Sequence, residues 1–469
     1  MPVEFDTEKE IISLRKKGLT DEKVIKDLIE HKKNNPYLLK KRLPCEMYDK
    51  VNLMCRKYMD RMARFEVDYD FHIDEEAFKN VAICCLECAP FMHSRVIKSP
   101  ITPYWKVSDY NINDMIFAKT VDDIEKAKKE FFAREIPLSS NVQMNIGLFY
   151  YENKTYVCFI WNHMCFDGGG YKSFWTDFCK NYSDYVLEGK SPIAFSSKSR
   201  KYTEVYKDLD KTTVKKAKKQ FANISPRDNH TMPFETLDKT DNVIIVSREI
   251  DEPYFTKAIN YAKSVGATVN DILVAAYIDA LGKVSGMKDN ESISISCATD
   301  LRRYIKDPAS IGYTNHVSFI HCALKEKGEN IKETLKNVSN KTKELKQDEF
   351  MGLHGLPLLN IGYKTMVYLQ AEAVVKMFYR NPTLSVSNVG AIDTKAFSLA
   401  NNPPFSAFVA GAAKNKPCAV MTALTINGVL KASMCLRGND KDKEVLERFF
   451  DEFKISIESI ADGSRTPYA

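Results

Sequence analysis

Residues 161–170, which read Trp-Asn-His-Met-Cys-Phe-Asp-Gly-Gly-Gly, lie between two stretches of different hydrophobic pattern. The apolar run at residues 156–160 predicts a buried strand, and the amphipathic run at residues 171–187 predicts a helix. His163 is therefore predicted where a strand ends and a helix begins. The glycines permit a tight turn there, and the start of a helix offers N–H groups to negative charge. An imidazole, with an ordinary pKa of about 6.5, can accept a proton in such a position.

Asp167 follows His163 by four residues and immediately precedes three glycines. Its carboxylate can cap the predicted helix or hold the loop in place. The two residues predict a general-base site, against which three other interpretations stand. His163 could be a structural histidine, Cys165 could be a nucleophile, or His163 and Asp167 could bind a metal. Nothing in the sequence marks Cys165 as activated, and no third ligand lies nearby in the sequence, so no metal site is predicted.

The chain of 469 residues has the composition of a globular protein, with 44% hydrophobic and 28% charged residues. Its 68 Lys and Arg residues nearly balance its 62 Asp and Glu residues, and the net charge of +6 is too small to predict a nucleic-acid partner. No window reaches about 18 uninterrupted apolar residues. The first residues lack a signal-peptide profile, so a cytoplasmic location without a membrane partner is predicted.

The 12 cysteines are scattered through apolar runs, which is typical of buried reduced thiols. Cys85 and Cys88 form the one Cys-x-x-Cys pair in the sequence. They fall at helical core spacing without a second pair, which favours packing over metal or redox chemistry.

Strands and helices are predicted to alternate in both halves of the chain, which indicates a mixed α/β fold of two lobes. Residues 1–60 are predicted to form an N-terminal helical extension, and residues 61–190 an N-terminal lobe that carries His163. Residues 191–240 are predicted to be a polar linker, and residues 241–469 a C-terminal lobe.

Three elements within these segments are predicted from their patterns alone. A lysine-rich helix is predicted at residues 201–221, a single long helix at residues 357–378, and a strand of the C-terminal lobe at residues 405–411. The long helix is opened by a proline, which the first helical turn tolerates.

His163, Asp167 and Gly168 form a His-x-x-x-Asp-Gly motif. Three segments in the second half of the chain provide further evidence for a family resemblance. Residues 266–277 read Gly-Ala-Thr-Val-Asn-Asp-Ile-Leu-Val-Ala-Ala-Tyr, residues 300–304 read Asp-Leu-Arg-Arg-Tyr ahead of Gly-Tyr-Thr-Asn at 312–315, and residues 384–390 read Leu-Ser-Val-Ser-Asn-Val-Gly. Together they resemble the CoA-dependent acyltransferase superfamily, which includes chloramphenicol acetyltransferase, plant alcohol acyltransferases and the condensation domains of nonribosomal peptide synthetases. The resemblance covers most of the chain.

The sequence departs from two branches of this superfamily. Condensation domains usually carry a second histidine before the motif, where this chain has Asn162, and the Asp-Phe-Gly-Trp-Gly motif of the plant enzymes is absent. Both departures favour a stand-alone enzyme that acts on a small molecule.

The resemblance implies a chloramphenicol-acetyltransferase-like fold, in which two pseudo-symmetric lobes enclose a tunnel. An acyl thioester would enter from one side and the acceptor from the other. His163 would act as general base on an acceptor hydroxyl or amine, and such a base contributes about 10² to 10⁴ in rate. Asp167 would hold the loop by pairing with Arg302 or Arg303, and the resemblance leaves that choice open.

Other roles follow from the same resemblance. The candidates for stabilising the oxyanion are the backbone N–H groups of Gly168 and Gly169 and the side chains of Ser387 and Asn388. Contacts with the tunnel or the substrate are predicted at Asn162, Asn315, Ser385, Ser387 and Asn388.

The donor is predicted to be a short-chain acyl-CoA, which is a substrate, so no bound cofactor is predicted. The lysines at residues 215–219 are either a solvated helix face or a contact for the CoA phosphates. An acyl carrier protein is the alternative donor, and a non-catalytic binding protein of the same fold is the third hypothesis.

Overall fold

Strands and helices alternate along the chain and assemble into two main β-sheets that pack against helices. The computed structural model describes residues 5–54, 58–219, 230–238, 240–307, 310–353, 356–378 and 382–462. The mixed α/β architecture predicted from the sequence is confirmed.

The strands are β1 (Arg42–Pro44), β2 (Met62–Tyr69), β3 (Ser94–Ile97), β4 (Tyr104–Val107), β5 (Ile116–Thr120), β6 (Met144–Tyr151), β7 (Lys154–Asn162), β8 (Val243–Ile250), β9 (Ile293–Asp300), β10 (Val317–Leu324), β11 (Leu384–Ala391), β12 (Ser406–Ala410), β13 (Lys414–Asn415), β14 (Ala419–Ile426) and β15 (Val429–Arg437). The first lobe has a five-stranded sheet of order β12-β2-β7-β6-β5, and a small sheet of order β1-β4-β3. The second lobe has a seven-stranded sheet of order β10-β9-β11-β14-β15-β13, in which β8 also pairs with β15.

The helices are α1 (Thr7–Lys17), α2 (Glu22–Lys33), α3 (Met47–Met54), α4 (Glu75–Cys88), α5 (Ile124–Phe132), α6 (Gly168–Glu188), α7 (Glu204–Lys207), α8 (Lys211–Lys219), α9 (Glu252–Ser264), α10 (Val269–Ser285), α11 (Ile331–Gln347), α12 (Leu356–Thr365), α13 (Tyr368–Phe378) and α14 (Asp440–Ala461). Several begin at an aspartate whose carboxylate accepts a backbone N–H of the first turn, among them Asp21, Asp74 and Asp123. These caps end the preceding loops and set where each helix begins.

Two predicted helices are each divided in two. The predicted helix at 357–378 breaks between α12 and α13, because the first N–H groups of α13 donate to the carbonyls of Pro100 and Ile101 instead of continuing the helix. The predicted helix at 201–221 becomes α7 and α8, because Asp210 caps a new helix start. Its predicted end at 220–221, with the rest of the linker up to residue 229 and residue 239, lies outside the described residues.

Strand β12 lies in the sheet of the first lobe, although the sequence analysis assigns residues 241–469 to the C-terminal lobe. It pairs antiparallel with β2, from Ser406 opposite Asp68 to Ala410 opposite Arg64. Without this strand β2 would be an edge strand with unpaired backbone groups, and β12 covers that edge. The division at residue 241 is therefore wrong for this strand.

The first helices are part of the main core of the first lobe and not a peripheral extension. Leu28 of α2 is fully buried in the same apolar cluster as the strands of the five-stranded sheet. Lys17 and Lys32 both donate to the carboxylate of Glu87 on α4, over 2.8 and 2.6 Å, and all three side chains are buried. Apolar packing and buried ion pairs thus hold the predicted extension in place.

Helix α10 runs through the core of the second lobe, where it packs against α11 and α14. Among the described residues, no single helix is long and apolar enough to cross a membrane. The pair α9 and α10, bent by 106°, passes that test by length and composition only.

Replacing Leu28 by alanine tests whether the first helices belong to the core. Because Leu28 is 0% exposed, Leu28→Ala should lower the free energy of unfolding by about 2 to 5 kcal/mol. The matched control is Ile12→Ala on α1, since Ile12 is 49% exposed and its loss should cost at most about 0.5 kcal/mol. Urea unfolding followed by circular dichroism measures both, and equal midpoints for the two variants would contradict the assignment.

Candidate active site

The loop between β7 and α6 is held by backbone hydrogen bonds on both sides. The N–H of His163 donates to the carbonyl of Arg61 over 2.8 Å, and the N–H of Cys165 donates to the carbonyl of Asn162 over 2.8 Å, which closes a turn. Asp167 then caps α6, its carboxylate accepting an N–H of the first helical turn over 2.7 Å. His163 therefore lies where the sequence predicts it, between a strand end and a helix start.

Asn315 of the second lobe holds both the backbone and the ring of His163. Its side-chain nitrogen donates to the carbonyls of His163 and Met164, over 2.9 and 3.3 Å. Its side-chain oxygen lies 3.1 Å from Nδ1 of the His163 ring. Because that oxygen can only accept, Nδ1 must carry the proton. The other ring nitrogen, Nε2, is then unprotonated and can act as a base.

The residue His163 is half-buried, whereas Met164, Cys165 and Asn315 are buried. Burial lowers the pKa of His163 below its ordinary value, while a contact with its own carbonyl and the charge of Asp167 oppose that shift. The ring is therefore neutral near pH 7. A neutral, accessible imidazole is what a general base requires.

The carboxylate of Asp167 pairs with Arg302 and not with Arg303. Two nitrogens of the Arg302 guanidinium donate to the two carboxylate oxygens over 2.9 and 3.2 Å, and the backbone N–H of His316 donates over 2.7 Å. Burial works against the carboxylate charge, but Arg302 and these N–H donors lower the pKa of Asp167 below its ordinary value. The group is ionised and joins the two lobes.

Arg303 points away from this site, because adjacent residues of the short 3₁₀ turn that carries both arginines project in different directions. Its guanidinium lies 3.6 Å from the sulfur of Met351 and over the ring of Tyr304. The candidate pairing of Arg303 with Asp167 is wrong.

The three glycines give Arg302 and the second lobe room to approach. A Cβ atom at Gly169 would lie 2.8 Å from Nη1 of Arg302, and one at Gly170 would lie 2.7 Å from the carbonyl oxygen of Thr314. Both distances are too short for a real contact. The glycines at 169 and 170 are therefore needed for the approach of the lobes, a reason that the turn alone does not supply.

The end of strand β11 lies against the start of α6. A Cβ atom at Gly168 would lie 3.3 Å from Val389, and Lys172 donates to the Val389 carbonyl over 3.1 Å. Ser387 and Asn388 are half-buried in this part of β11, and Asn388 accepts the N–H of Gly390 over 2.9 Å.

Ser385 and Asn162 lie apart from this surface. Ser385 is buried in the sheet between β9 and β14. Asn162 is 0% exposed, and its side chain bonds to Gln143 and to the N–H of Met164 over 3.1 Å each. These contacts make Asn162 a structural residue of the turn and not a wall of a tunnel.

Cysteine nucleophiles and metal ligands are the chemical alternatives to a general base at this motif. Cys165 is buried, and burial raises the pKa of its thiol well above the ordinary value, so it is a poor nucleophile. Cys85 and Cys88 are buried free thiols within α4. Within the described ranges, no group of three His, Cys, Asp or Glu side chains could hold a metal ion.

His316 and His321 face different surroundings on and beside β10. His316 is fully buried with its ring near that of Tyr202, and neither ring nitrogen has a hydrogen-bond partner among the described residues. Burial, followed by the charge of Arg302, lowers the pKa of His316 to about 4. His321 bonds to the hydroxyl of Ser296 over 2.8 Å.

The sequence analysis missed Arg200, which lies in the predicted linker. Its side chain is buried and donates to the carbonyls of Met164 and Cys165 in the His163 loop. No local signal indicates this contact, because a basic residue in a polar stretch is usually solvated.

No family model and no curated protein sequence matches the chain, but solved structures match its fold. The first condensation domain of the calcium-dependent antibiotic synthetase is 11% identical, with a TM-score of 0.66 over 90% of this chain and 98% of that one. Trichothecene 15-O-acetyltransferase from Fusarium sporotrichioides is 13% identical, with a TM-score of 0.64 over 89% of this chain and 95% of that one.

The epimerization domain from the third module of tyrocidine synthetase B is 13% identical, with a TM-score of 0.63 over 90% of this chain and 98% of that one. At these identities the matches show the fold. The two-lobe fold that the resemblance implies is thereby confirmed.

Asp167→Asn should destabilise the protein, because the guanidinium of Arg302, which is 17% exposed, loses its buried anionic partner and is left with the exposed Asp300. Breaking a fully buried pair costs about 3 to 5 kcal/mol in the free energy of unfolding, and this value is the upper limit for the variant. Since the folded-state pKa of Asp167 is lowered, its contribution is present above the ordinary carboxyl pKa of about 3.9 and is lost as the pH falls through the lower folded value. The deficit of the variant should therefore shrink in acid.

Asp300→Asn is the matched control, because Asp300 also pairs with Arg302, over 3.1 Å, but its side chain is 56% exposed. This change should cost at most about 1 kcal/mol. Denaturant titrations of both variants at pH 7 and at a series of pH values below the ordinary carboxyl pKa of about 3.9 make the comparison. An Asp167→Asn variant as stable as Asp300→Asn would show that the pair does not hold the lobes together.

Proposed function

We propose that this protein transfers an acyl group from a thioester to the hydroxyl or amine of a small molecule, with His163 as the general base. The observation that carries the proposal is the contact of Asn315 with Nδ1 of His163, which leaves Nε2 free to take a proton. The shared fold of a condensation domain and an acetyltransferase supports acyl transfer as the type of reaction.

The proposed reaction has two steps, attack on the thioester and release of the thiol. Nε2 of His163 takes the proton of the acceptor as its oxygen or nitrogen attacks the thioester carbonyl. The tetrahedral intermediate then collapses, the carbon–sulfur bond breaks, and the imidazolium returns the proton to the leaving thiolate. The products are the acylated acceptor and a free thiol, and the thioester is a substrate, so the reaction needs no bound cofactor.

The oxyanion of the intermediate needs donors that point toward it. The backbone N–H groups of Gly168 and Gly169 lie at the positive end of the α6 dipole, which favours negative charge there. Ser387 and Asn388 are the side-chain candidates. The packing of β11 against Gly168 supports a position of both side chains near the N–H groups of Gly168 and Gly169.

The donor we propose is a short-chain acyl-CoA. The name of the acetyltransferase with this fold supports the choice, whereas the condensation domains support a carrier-protein thioester as the second candidate. A thiol-release assay with acetyl-CoA as the donor and a panel of small alcohols and amines as acceptors separates the two, because a carrier-dependent enzyme would release no thiol from acetyl-CoA. A non-catalytic member of the fold would release none from either donor.

Replacing His163 tests the base directly. His163→Gln should lower the rate of acyl transfer by about 10² to 10⁴ while the protein stays folded, since the side chain supplies the proton acceptor. The matched control is His72→Gln, because His72 is exposed and bonds only to a carbonyl of the β6–β7 turn. Both are measured by thiol release with a panel of small alcohols and amines, and a His163→Gln variant within a few-fold of the parent would refute the role.

The pH profile should report the same group. The base works when neutral, so activity should fall as the pH drops through its pKa. Because burial lowers the pKa of His163, half-maximal kcat/KM should occur below the ordinary histidine value of about 6.5. An acidic limb centred above 6.5 would assign the titration to another group.

A further inference from the structure

We propose that Arg200 is a positioning residue that holds the His163 loop in its reactive shape and connects that shape to the N-terminal segment. The kinetic part of this inference rests on the proposed function, but the structural part does not. Arg200 lies on none of the helices and strands that carry the site. It reaches the site through its guanidinium, and its backbone carbonyl accepts the hydroxyl of Thr314 over 3.2 Å.

The guanidinium of Arg200 bridges the two chain segments that meet at His163. Nη2 donates to the carbonyls of Met164 and Cys165 over 3.0 and 3.1 Å, and Nε donates to the carbonyl of Tyr313 over 3.1 Å. The first two carbonyls directly follow His163, and the third lies two residues before Asn315. One planar group therefore sets the spacing between the base and the side chain that orients it.

The charge of Arg200 is compensated by Asp49 on α3. Nη1 and Nη2 donate to the two carboxylate oxygens of Asp49 over 3.4 and 3.2 Å. Asp49 is 1% exposed and also accepts the indole N–H of Trp105 over 2.8 Å. Burial works against the charge of Arg200, but Asp49 raises the pKa of the guanidinium above its ordinary value.

Aromatic rings hold the plane of this guanidinium. The central carbon of Arg200 lies 4.1 Å from the ring centre of Phe91 and 5.8 Å from that of Trp105. A lysine at this position would keep the positive charge but could not present a planar fork to three carbonyls and one carboxylate. Arg200→Lys therefore removes the geometry and keeps the charge.

The N-terminal segment contributes to the site through this contact. Asp49 belongs to residues 1–60, which the sequence analysis treats as an extension. Through Asp49 and Arg200, that segment reaches the carbonyls next to the base. The site therefore draws on three parts of the chain: the loop of His163, the segment of Asn315, and α3.

The test reads the tautomer of the His163 ring in ¹⁵N-histidine-labelled protein at alkaline pH, where the ring is neutral. The resonance is assigned by comparison with His163→Gln. The parent should show the Nδ1–H form, because Asn315 accepts from Nδ1. Arg200→Lys should show a measurable fraction of the Nε2–H form, because the loop no longer holds Nδ1 against Asn315.

Arg64→Lys is the matched control. Arg64 is 0% exposed, pairs with Asp60 over 2.6 Å, and donates to the carbonyls of Phe132 and Met62 over 2.7 and 2.8 Å. Its loss should destabilise the protein similarly, and none of these bonds goes to the carbonyls of Met164 and Cys165 or to the Asn315 segment. A pure Nδ1–H form in Arg200→Lys, as in Arg64→Lys, would overturn the proposal.

If Arg200→Lys yields no folded protein, Asp49→Asn replaces it, since it preserves shape and removes the charge that holds Arg200. The same readout applies: an Nε2–H fraction supports the proposal, and a pure Nδ1–H form overturns it. In the thiol-release assay, Arg200→Lys should lower kcat about ten- to a hundredfold with KM within about twofold, as expected for a misplaced base. Absence of thiol release from the parent with both acetyl-CoA and a carrier-protein thioester would refute the proposed function alone, because the tautomer readout still decides the role of Arg200.

Discussion

The ion pair of Asp167 and Arg302 is the contact on which the rest of the site depends. The carboxylate belongs to the first lobe, and its charged partner and one of its backbone donors, the N–H of His316, belong to the second. That N–H directly follows Asn315 in the chain, so the position of Asp167 also sets the position of Asn315. Asn315 then fixes which nitrogen of His163 carries the proton. A structural carboxylate thereby sets the tautomer of a histidine to which it is not hydrogen-bonded.

Because of these contacts, the tautomer of His163 depends on the contact between the two lobes. His163 comes from β7 and its orienting amide from the second lobe, so neither lobe alone presents a histidine in a defined tautomer. The glycines at 169 and 170 permit that meeting, because any side chain there would collide with Arg302 or with the carbonyl of Thr314. The residues of the His-x-x-x-Asp-Gly pattern thus bring the two lobes into contact, in addition to their proposed role in catalysis.

Local pattern was sufficient to predict the junction of β7 and α6, because period and apolar content change sharply there. Local pattern was insufficient to predict the direction in which a side chain points, or the pairing of segments that are distant in the sequence. Arg302 and Arg303 are neighbours of the same type, and only the geometry of the turn separates them. Strand β12 has an ordinary strand pattern, and this pattern does not indicate which of the two sheets the strand joins. The role of Arg200 has no signature in the sequence, since its partners are main-chain carbonyls and the carboxylate of Asp49, which is distant in the chain.

The first lobe is held together by buried charges as well as by apolar packing, and this has a consequence for the N-terminal segment. Glu87 receives Lys17 and Lys32, and Asp49 receives Arg200, all in buried surroundings. A buried pair adds little net stability compared with apolar residues of the same shape, but a buried charge that has lost its partner is strongly unfavourable. A substitution such as Asp49→Asn produces that state, because it removes one charge while the packing of the docked segment keeps Arg200 buried. The docked segment therefore supports the His163 loop through the charge of Asp49 as well as through its apolar packing.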